Sequence, residues 1–497
     1  MGIIIRQSIK GTMFSYAGVL LGVVNILLLM PNILLPEEIG LINFLISMSA
    51  IFAEFSALGI NQVTTRLFSY FRSKENHHNG YMSIALFTTS IGFLLAVIIF
   101  LLIRGRLVED ASDDSVLFSN YLYYLIPLIA ATLYFNLFDN ILKVLYNSTI
   151  GVFYKEVVFR LLVFINLSLV YLKVYNFEVF FNIYVITLMA PALVLFIELQ
   201  RKKEFSVKII KGFITGPLRK QMFKVAFYGM LSSVSGMVIL NFDKYLITSS
   251  LDLKATGIYS IAFFMGSLIL KPTTALFKIS SVVLADSWKN NDLKNIFNIY
   301  KEGCLHLYLA GLFLLLGLTI NLDNIFDILP PQYAGGKLVV FLIGLAYVIE
   351  TVSGPGGMVI LTSRYFPMLT YFGVFSGIVL VICGYVLIPI FGINGAALAV
   401  ICSRLSFSAA KILFLLSKYG KHPFNKKFFL TTLIGLISYA SVYYIPVVVN
   451  TYIDIIVRSS IYVVVFISIL LALNISKTVE DIFKQVINYI LQILKKK

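Results

Sequence analysis

The sequence predicts an all-α integral membrane protein with about fourteen transmembrane helices, and three observations predict it. Of 497 residues, 59% are hydrophobic and only 13% are charged, against about 45–50% and about 25% in soluble domains. Mean hydropathy is +0.91, which excludes a soluble globular protein, a disordered chain and a collagen-like fibre. The apolar residues also gather into stretches near the roughly 20 residues needed to cross a bilayer. These lie near 12–30, 39–58, 81–103, 119–142, 151–172, 178–199, 222–242, 256–285, 303–321, 335–361, 366–390, 394–416, 428–449 and 452–473.

The first stretch follows a short basic region, Arg6 and Lys10, with no small-residue cleavage pattern after it, so it reads as a retained span and not a signal peptide. Residues 1–200 then form a first lobe of six spans. Residues 201–221 are a basic linker, from Arg201-Lys202-Lys203 to Lys220, suited to anionic headgroups at about 1 kcal/mol per basic residue near the surface. Residues 222–418 repeat the six-span pattern, and 428–473 hold two further spans. The tail, 475–497, carries Val479, Ile482, Phe483, Val486, Ile487, Ile490 and Leu491 at amphipathic-helix spacing, which suits the cytoplasmic interface. The loops are too short for an extramembrane domain, so any chemistry sits in the membrane or at its faces.

Orientation follows from the excess of Lys and Arg in cytoplasmic loops. With the N-terminus inside, thirty basic residues fall on the cytoplasmic side and seven on the outer side, and Lys271, Lys278 and Arg404 lie well inside spans. Both termini are therefore expected in the cytoplasm. The net charge of +16 is accounted for by topology, without a nucleic-acid partner.

The halves resemble each other at an offset near 217 residues. Pro36-Glu37-Glu38-Ile39-Gly40 leads into the second span as Leu253-Lys254-Ala255-Thr256-Gly257 leads into the eighth, and Tyr175-Asn176-Phe177 matches Phe391-Gly392-Ile393. An even number of spans per half implies a parallel repeat about an axis along the membrane normal, as in two-lobed transporters. Pro36 to Gly40, Phe55-Ser56-Ala57-Leu58-Gly59-Ile60, Asn241-Phe242-Asp243-Lys244 with Thr256 to Ser260, and Leu387 to Ala397 resemble oligosaccharide flippases of the polysaccharide transporter family, O-antigen flippases among them. That family belongs to the multidrug/oligosaccharidyl-lipid/polysaccharide (MOP) exporter superfamily. The resemblance covers about residues 5 to 420. It implies a V-shaped pair of six-helix lobes with two extra C-terminal helices, in a bacterial inner membrane. It further implies export of an undecaprenyl-pyrophosphate-linked glycan, alongside polysaccharide polymerase and glycosyltransferase machinery.

Ionisable residues deep in a bilayer are expensive and usually paired or exposed to a polar cavity. Lys271 and Lys278 stand two helical turns apart in span eight, and Arg404 and Lys411 repeat that spacing in span twelve. Such basic stripes suit a pyrophosphate and acidic sugars; the plainer reading is snorkelling or structural pairing. Glu54 falls opposite Lys271 under the repeat offset, which suggests an interlobe latch. Glu350 is the remaining deep carboxylate, a candidate for coupling to protons or a structural acid. Asp139 with Lys143, and Glu156 with Arg160, have the spacing of self-neutralising helix pairs.

Gly354-Pro355-Gly356-Gly357 interrupts span ten and Pro272 follows Lys271 directly, so both are candidate hinges. No phosphate-binding G-x-x-x-x-G-K-[ST] loop is present, and neither the four histidines nor Cys304, Cys383 and Cys402 have metal-ligand or disulfide spacing. The acidic cluster Glu109, Asp110, Asp113 and Asp114 reads as a solvated outer loop. The sequence thus points to a flippase without enzymatic activity or cofactor, with a proton or sodium ion as candidate coupling ion. Its substrate would be a polyprenyl-pyrophosphate-linked oligosaccharide such as an O-antigen or another surface polysaccharide unit. The alternatives are a lipid II flippase, or a drug or cation exporter of the same superfamily, although span one has no carboxylate for the latter. A glycan polymerase or ligase is the reading from another class, and it lacks the large outer loop such enzymes carry.

Overall fold

The computed structural model describes residues 2–110, 115–208, 210, 212–446 and 449–476. Most of the acidic cluster expected in an outer loop, and nearly all of the tail helix expected over 475–497, lie outside the described residues. Among the described residues every regular element is helical.

In chain order these are α1 (Gly2–Val23), continued by a π-helical turn Val24–Leu29; α2 (Pro36–Ser56); α3 (Ile60–Phe71); and α4 (Tyr81–Asp110). Then come α5 (Leu125–Val144); α6, built of Thr149–Phe153, a π-helical turn Tyr154–Val158 and Phe159–Tyr171; α7 (Phe177–Arg201); and α8 (Gly216–Ser250). The second part holds α9 (Leu253–Ser267), α10 (Lys271–Lys289), α11 (Leu293–Ile320), α12 (Leu322–Ile328), α13 (Lys337–Thr362), α14 (Pro367–Phe391) and α15 (Ile393–Tyr419). The last hairpin is α16 (Lys426–Tyr443) and α17 (Thr451–Ala472).

Twelve helices of the described residues are long and apolar enough to cross a membrane. Of the fourteen expected spans, two do not reach that mark. The α6 span carries Lys155, Glu156 and Arg160, and α16 is only 18 residues long and begins with two lysines. Span eight is divided: a 3₁₀ turn, Leu268–Leu270, separates α9 from α10, and Pro272 sits in the first turn of α10, where its missing N–H costs no helical bond.

Local chemistry explains several boundaries. Pro36 stands at the first turn of α2 while the Glu38 carboxylate accepts the Leu35 N–H at 2.8 Å. Asn176, Thr215, Asp292, Asn425 and Asn450 cap the N-termini of α7, α8, α11, α16 and α17 with side-chain oxygens.

The contacts divide the chain into two compact units, Met1–Phe264 with Phe366–Ser406, and Met265–Tyr365 with Phe407–Lys497. In the first, Phe68, Phe71, Tyr81, Leu137, Leu195 and Leu199 centre a core shared by α3, α4, α5 and α7. Its one buried phenol, Tyr81, is satisfied by Thr64 at 2.8 Å. In the second, α13 lies on α11 because Gly303 admits the Pro355 ring. The α16–α17 hairpin is fastened to α11 by Tyr462, which stacks 5.3 Å from Phe313 and donates to its carbonyl at 3.0 Å. A buried ion pair holds the N-terminal end of α17: Arg458 Nε lies 2.6 Å from Asp454 Oδ2, and Asn324 of α12 donates to the same oxygen at 2.6 Å.

Candidate functional site

The site grows from α2, which the first unit grips near both ends. Near its start α2 crosses α9 backbone to backbone at a pair of glycines. A Cβ on Gly40 would stand 1.9 Å from the Leu253 carbonyl oxygen, and a Cβ on Gly257 would stand 2.0 Å from that of Pro36. The contact is reciprocal, and both pairs, 36 with 253 and 40 with 257, obey the 217-residue offset read from the sequence. Only residues without a side chain let two helices meet this closely in a membrane. Beyond the far end of α2, Gly59, at φ 75°, lies against the Ala226 carbonyl of α8, while Gln62 of α3 lies over Gly229. Gly40 and Ser56 are ~24 Å apart along the helix, so the two contacts bracket most of a bilayer core.

Between them lies Glu54, buried on α2. Asn136 of α5 donates to its carboxylate at 3.4 Å, and the Ser233 hydroxyl of α8 hydrogen-bonds to it. One carboxylate thus joins three helices between the two contacts.

A second layer of charge runs through α5, α6 and α1. Lys143 pairs with Asp139 at 2.5 Å and Arg160 with Glu156 at 2.8 Å, the two helix pairs the spacing predicts. The Arg160 guanidinium also donates to the Gly18 carbonyl, and Asn25 donates to the Arg160 carbonyl at 2.8 Å. Gly18 and Gly22, one turn apart on α1, form the groove for this pair: a Cβ on Gly22 would fall 2.0 Å from Arg160 Nη1. Gly151 does the same for the Asp139 carboxylate. The charges of α6 sit on or beside its π-helical turn, and Asn25 lies in the π-helical turn after α1. Such turns are rare and collect at functional sites.

The remaining sequence-expected residues are placed as follows. Lys271 opens α10 with an exposed side chain, and Lys278 lies farther along the same helix, its side chain outside the described set. Arg404 is buried on α15 next to Ser403, whose hydroxyl meets that of Ser376 at 2.9 Å. Lys411 is buried farther along α15, its ammonium 4.3 Å over the Phe407 ring and its stem against Gly357. Glu350 is half-buried on α13 beside the Ser353–Ser408 hydrogen bond of 2.8 Å that ties α13 to α15. Gly354-Pro355-Gly356-Gly357 does not interrupt its helix: α13 runs on to Thr362. The missing side chains are used for packing, with Tyr300 and Leu415 against Gly356 and Phe277 and Leu307 against Gly354.

Two features escaped the sequence reading. Asp243 is buried on α8, taking a hydrogen bond from Tyr259 at 2.6 Å with Lys244 at 3.5 Å, and Lys244 also lies 4.5 Å over the Phe263 ring. Lys155, one of the thirty basic residues assigned from sequence to the cytoplasmic side, belongs to the π-helical turn of α6 and lies 4.9 Å from the Phe135 ring. Their signal was present as charge inside an apolar window, but partners on other helices have no sequence spacing. Among the described residues no group of three His, Cys, Asp or Glu side chains could hold a metal ion.

The profile of a family described as polysaccharide biosynthesis protein matches residues 6–278, more than half of the chain. The chain belongs to that family. Its twelve described helices of membrane-crossing length and hydropathy make it a multi-pass membrane protein. No curated protein matches it. Among solved structures, the lipid II flippase MurJ in an inward closed conformation is similar at TM-score 0.72 and 14% identity, over 94% of this chain and 98% of that one. An inward-facing multidrug resistance MATE family transporter of the MOP superfamily is similar at 0.61 and 12%, over 81% and 93%. A MATE protein in complex with MaL6 follows at 0.54 and 11%, over 83% and 94%. At these identities the likeness establishes a shared fold.

Proposed function

We propose that this polysaccharide biosynthesis family member flips a polyprenyl-pyrophosphate-linked glycan from the cytoplasmic to the outer leaflet by alternating access. The observation that carries the reading is the fold shared with a lipid II flippase over 94% of the chain, joined to membership of a polysaccharide family. The MATE transporters leave about a fifth of the chain uncovered, which favours a lipid-linked glycan over a drug. The same likeness favours lipid II over an O-antigen unit as the cargo. In this reading the chain has fourteen spans, with α6 and α16 included and both termini in the cytoplasm.

The two contacts of α2 suit a closed state of such a cycle. Opening outward requires the Gly40–Gly257 crossing to part, and opening inward requires Gly59 and Gln62 to leave α8. Glu54, engaged by Asn136 and Ser233, is the proposed gate and coupling group, because loading it with a proton removes its charge from a buried site. Lys271, Lys278 and Arg404 are each proposed as phosphate ligands, and Lys411 and Glu350 as secondary candidates. Pro272, with the 3₁₀ turn before it, is the better hinge; the Gly354 to Gly357 run acts first as a packing seam.

Depletion of the chain in its native cell tests the cargo. A lipid II flippase gives accumulation of lipid II inside and lysis. A surface-glycan flippase gives viable cells lacking one glycan, and unchanged lipid-linked pools of every kind refute the flippase reading.

A further inference from the structure

The second unit contains a basic cavity that none of these roles uses. It has a volume of about 660 Å³ and lies between the start of α11 and the segment that joins α15 to α16. Lys294, Lys301 and Lys421 supply its positive charge, His422 a ring nitrogen, and Phe297 and Phe424 its apolar wall. Asp292 also lines it, but the carboxylate is committed to the α11 N-cap, accepting the Asn295 N–H at 3.0 Å. The wall is fixed by ring contacts: Phe297 lies 5.2 Å from Tyr419, His422 is 6.4 Å from Phe424, and Phe424 is 5.6 Å from Phe428. Leu293, at the start of α11, and Leu416, in the last turn of α15, are both exposed.

The volume falls in the range of small-molecule sites, about 300–1,000 Å³. Three lysines and a histidine lining one cavity call for an anion that accepts several hydrogen bonds, of which phosphate is the common one. The cavity lies at the ends of two bilayer-length helices, with apolar side chains at its edge, where a phosphate carried by a lipid would be presented. Basic recesses between transmembrane helices on the cytoplasmic side are suited to anionic headgroups. We infer that this cavity binds the phosphate headgroup of an anionic diacyl phospholipid of the surrounding membrane. It is a site for a resident lipid, separate from the proposed cargo.

The protein carries its own reporter. Its single tryptophan, Trp288, packs 6.0 Å from Tyr419, which in turn lies 5.2 Å from Phe297 of the cavity wall. Detergent-purified full-length protein is titrated with dioctanoyl phosphatidylglycerol, dioctanoyl phosphatidylcholine and inorganic phosphate, and Trp288 emission is followed. Phosphatidylglycerol gives a saturable change and phosphatidylcholine and phosphate at equal concentrations do not. Each of K294Q, K301Q and K421Q weakens the apparent Kd by roughly fivefold, and the triple variant by roughly 100-fold. The linker variant K202Q/K203Q, which alters surface charge elsewhere, leaves the Kd unchanged. Variants are compared only where they elute as monodisperse protein, and K421Q, exposed in the α15–α16 segment, serves if the triple variant does not. Equal response to phosphatidylcholine overturns the inference, and so does saturation by phosphate alone. A Kd that follows K202Q/K203Q as strongly as K421Q overturns it as well.

Discussion

The crossing of α2 and α9 can be perturbed one methyl group at a time. In Gly40→Ala the new carbon falls 1.9 Å from the Leu253 carbonyl oxygen, and in Gly257→Ala 2.0 Å from that of Pro36. A carbon and a carbonyl oxygen approach to about 3.3 Å at best, so the helices must separate by roughly 1.4 Å. Both obstacles are backbone atoms, and no rotamer change relieves them. Overpacking of this kind costs about 1–3 kcal/mol, and it is levied only on the state in which the crossing is closed. The closed fraction therefore shifts by roughly 5- to 150-fold toward opening at this end. The assay uses a chain with Cys304, Cys383 and Cys402 replaced by alanine and a reporter cysteine at Asn43, less than one turn from Gly40. Labelling by a membrane-impermeant maleimide added from outside measures the opening. Each single variant accelerates labelling at least fivefold, by similar amounts. The double variant adds little, because helices already parted meet no second obstacle. Full additivity, or an effect at one glycine without the other, would falsify the shared-contact argument.

Other outcomes follow from the same structure. Gly22→Ala displaces the Arg160 guanidinium from Glu156 and the Gly18 carbonyl, so under the proposed flippase function glycan export falls at least fivefold while the purified chain keeps its elution profile; unchanged export removes that groove from the proposed mechanism. Arg458→Gln leaves the Asp454 carboxylate buried against Asn324 and lowers stability by about 3–5 kcal/mol, read as a fall in the detergent unfolding temperature. Replacing Asp454 and Arg458 together by leucine recovers much of that loss. Burial opposes ionisation of Glu204, but hydrogen bonds from His78, at 2.6 Å, and Lys74, at 3.3 Å, outweigh it and hold its pKa below the ordinary 4.5. A depressed carboxylate stabilises above its unfolded value and loses that contribution as pH falls through the folded one. The linker is therefore docked at neutral pH and becomes protease-sensitive as the pH falls below the ordinary carboxylate range, and in Glu204→Gln it is sensitive at pH 7.

The fold class was legible because bilayer crossing imposes length and hydropathy locally, stretch by stretch. Where charge is paired inside a span, as in α6, sequence showed a span and a pair but not the partner helix whose glycines hold it. The offset between Gly40 and Gly257 was visible as a weak repeat, yet nothing in the letters says that the two glycines touch. Gly354-Pro355-Gly356-Gly357 misled for a related reason: the same residues that break an isolated helix let a packed one approach its neighbours, and only the contacts distinguish the two uses. Asp243 and Lys244 were quoted as part of a family motif, but their joint burial with Tyr259 depends on tertiary proximity.

The basic linker, whatever its basic side chains face, is also fastened to protein. Glu204 holds His78 and Lys74, the Lys208 carbonyl accepts from Ser83 at 3.0 Å, and Gly80 lies close under Ile210. The hold continues past Ile210: Phe213 lies 5.2 Å from the Phe71 ring, and Ile214 packs on the same core just before the Thr215 cap. Under the proposed alternating access, an excursion of α8 from that core has to peel these contacts away in turn. The linker is then a catch on the stroke, loosened by Phe213→Ala.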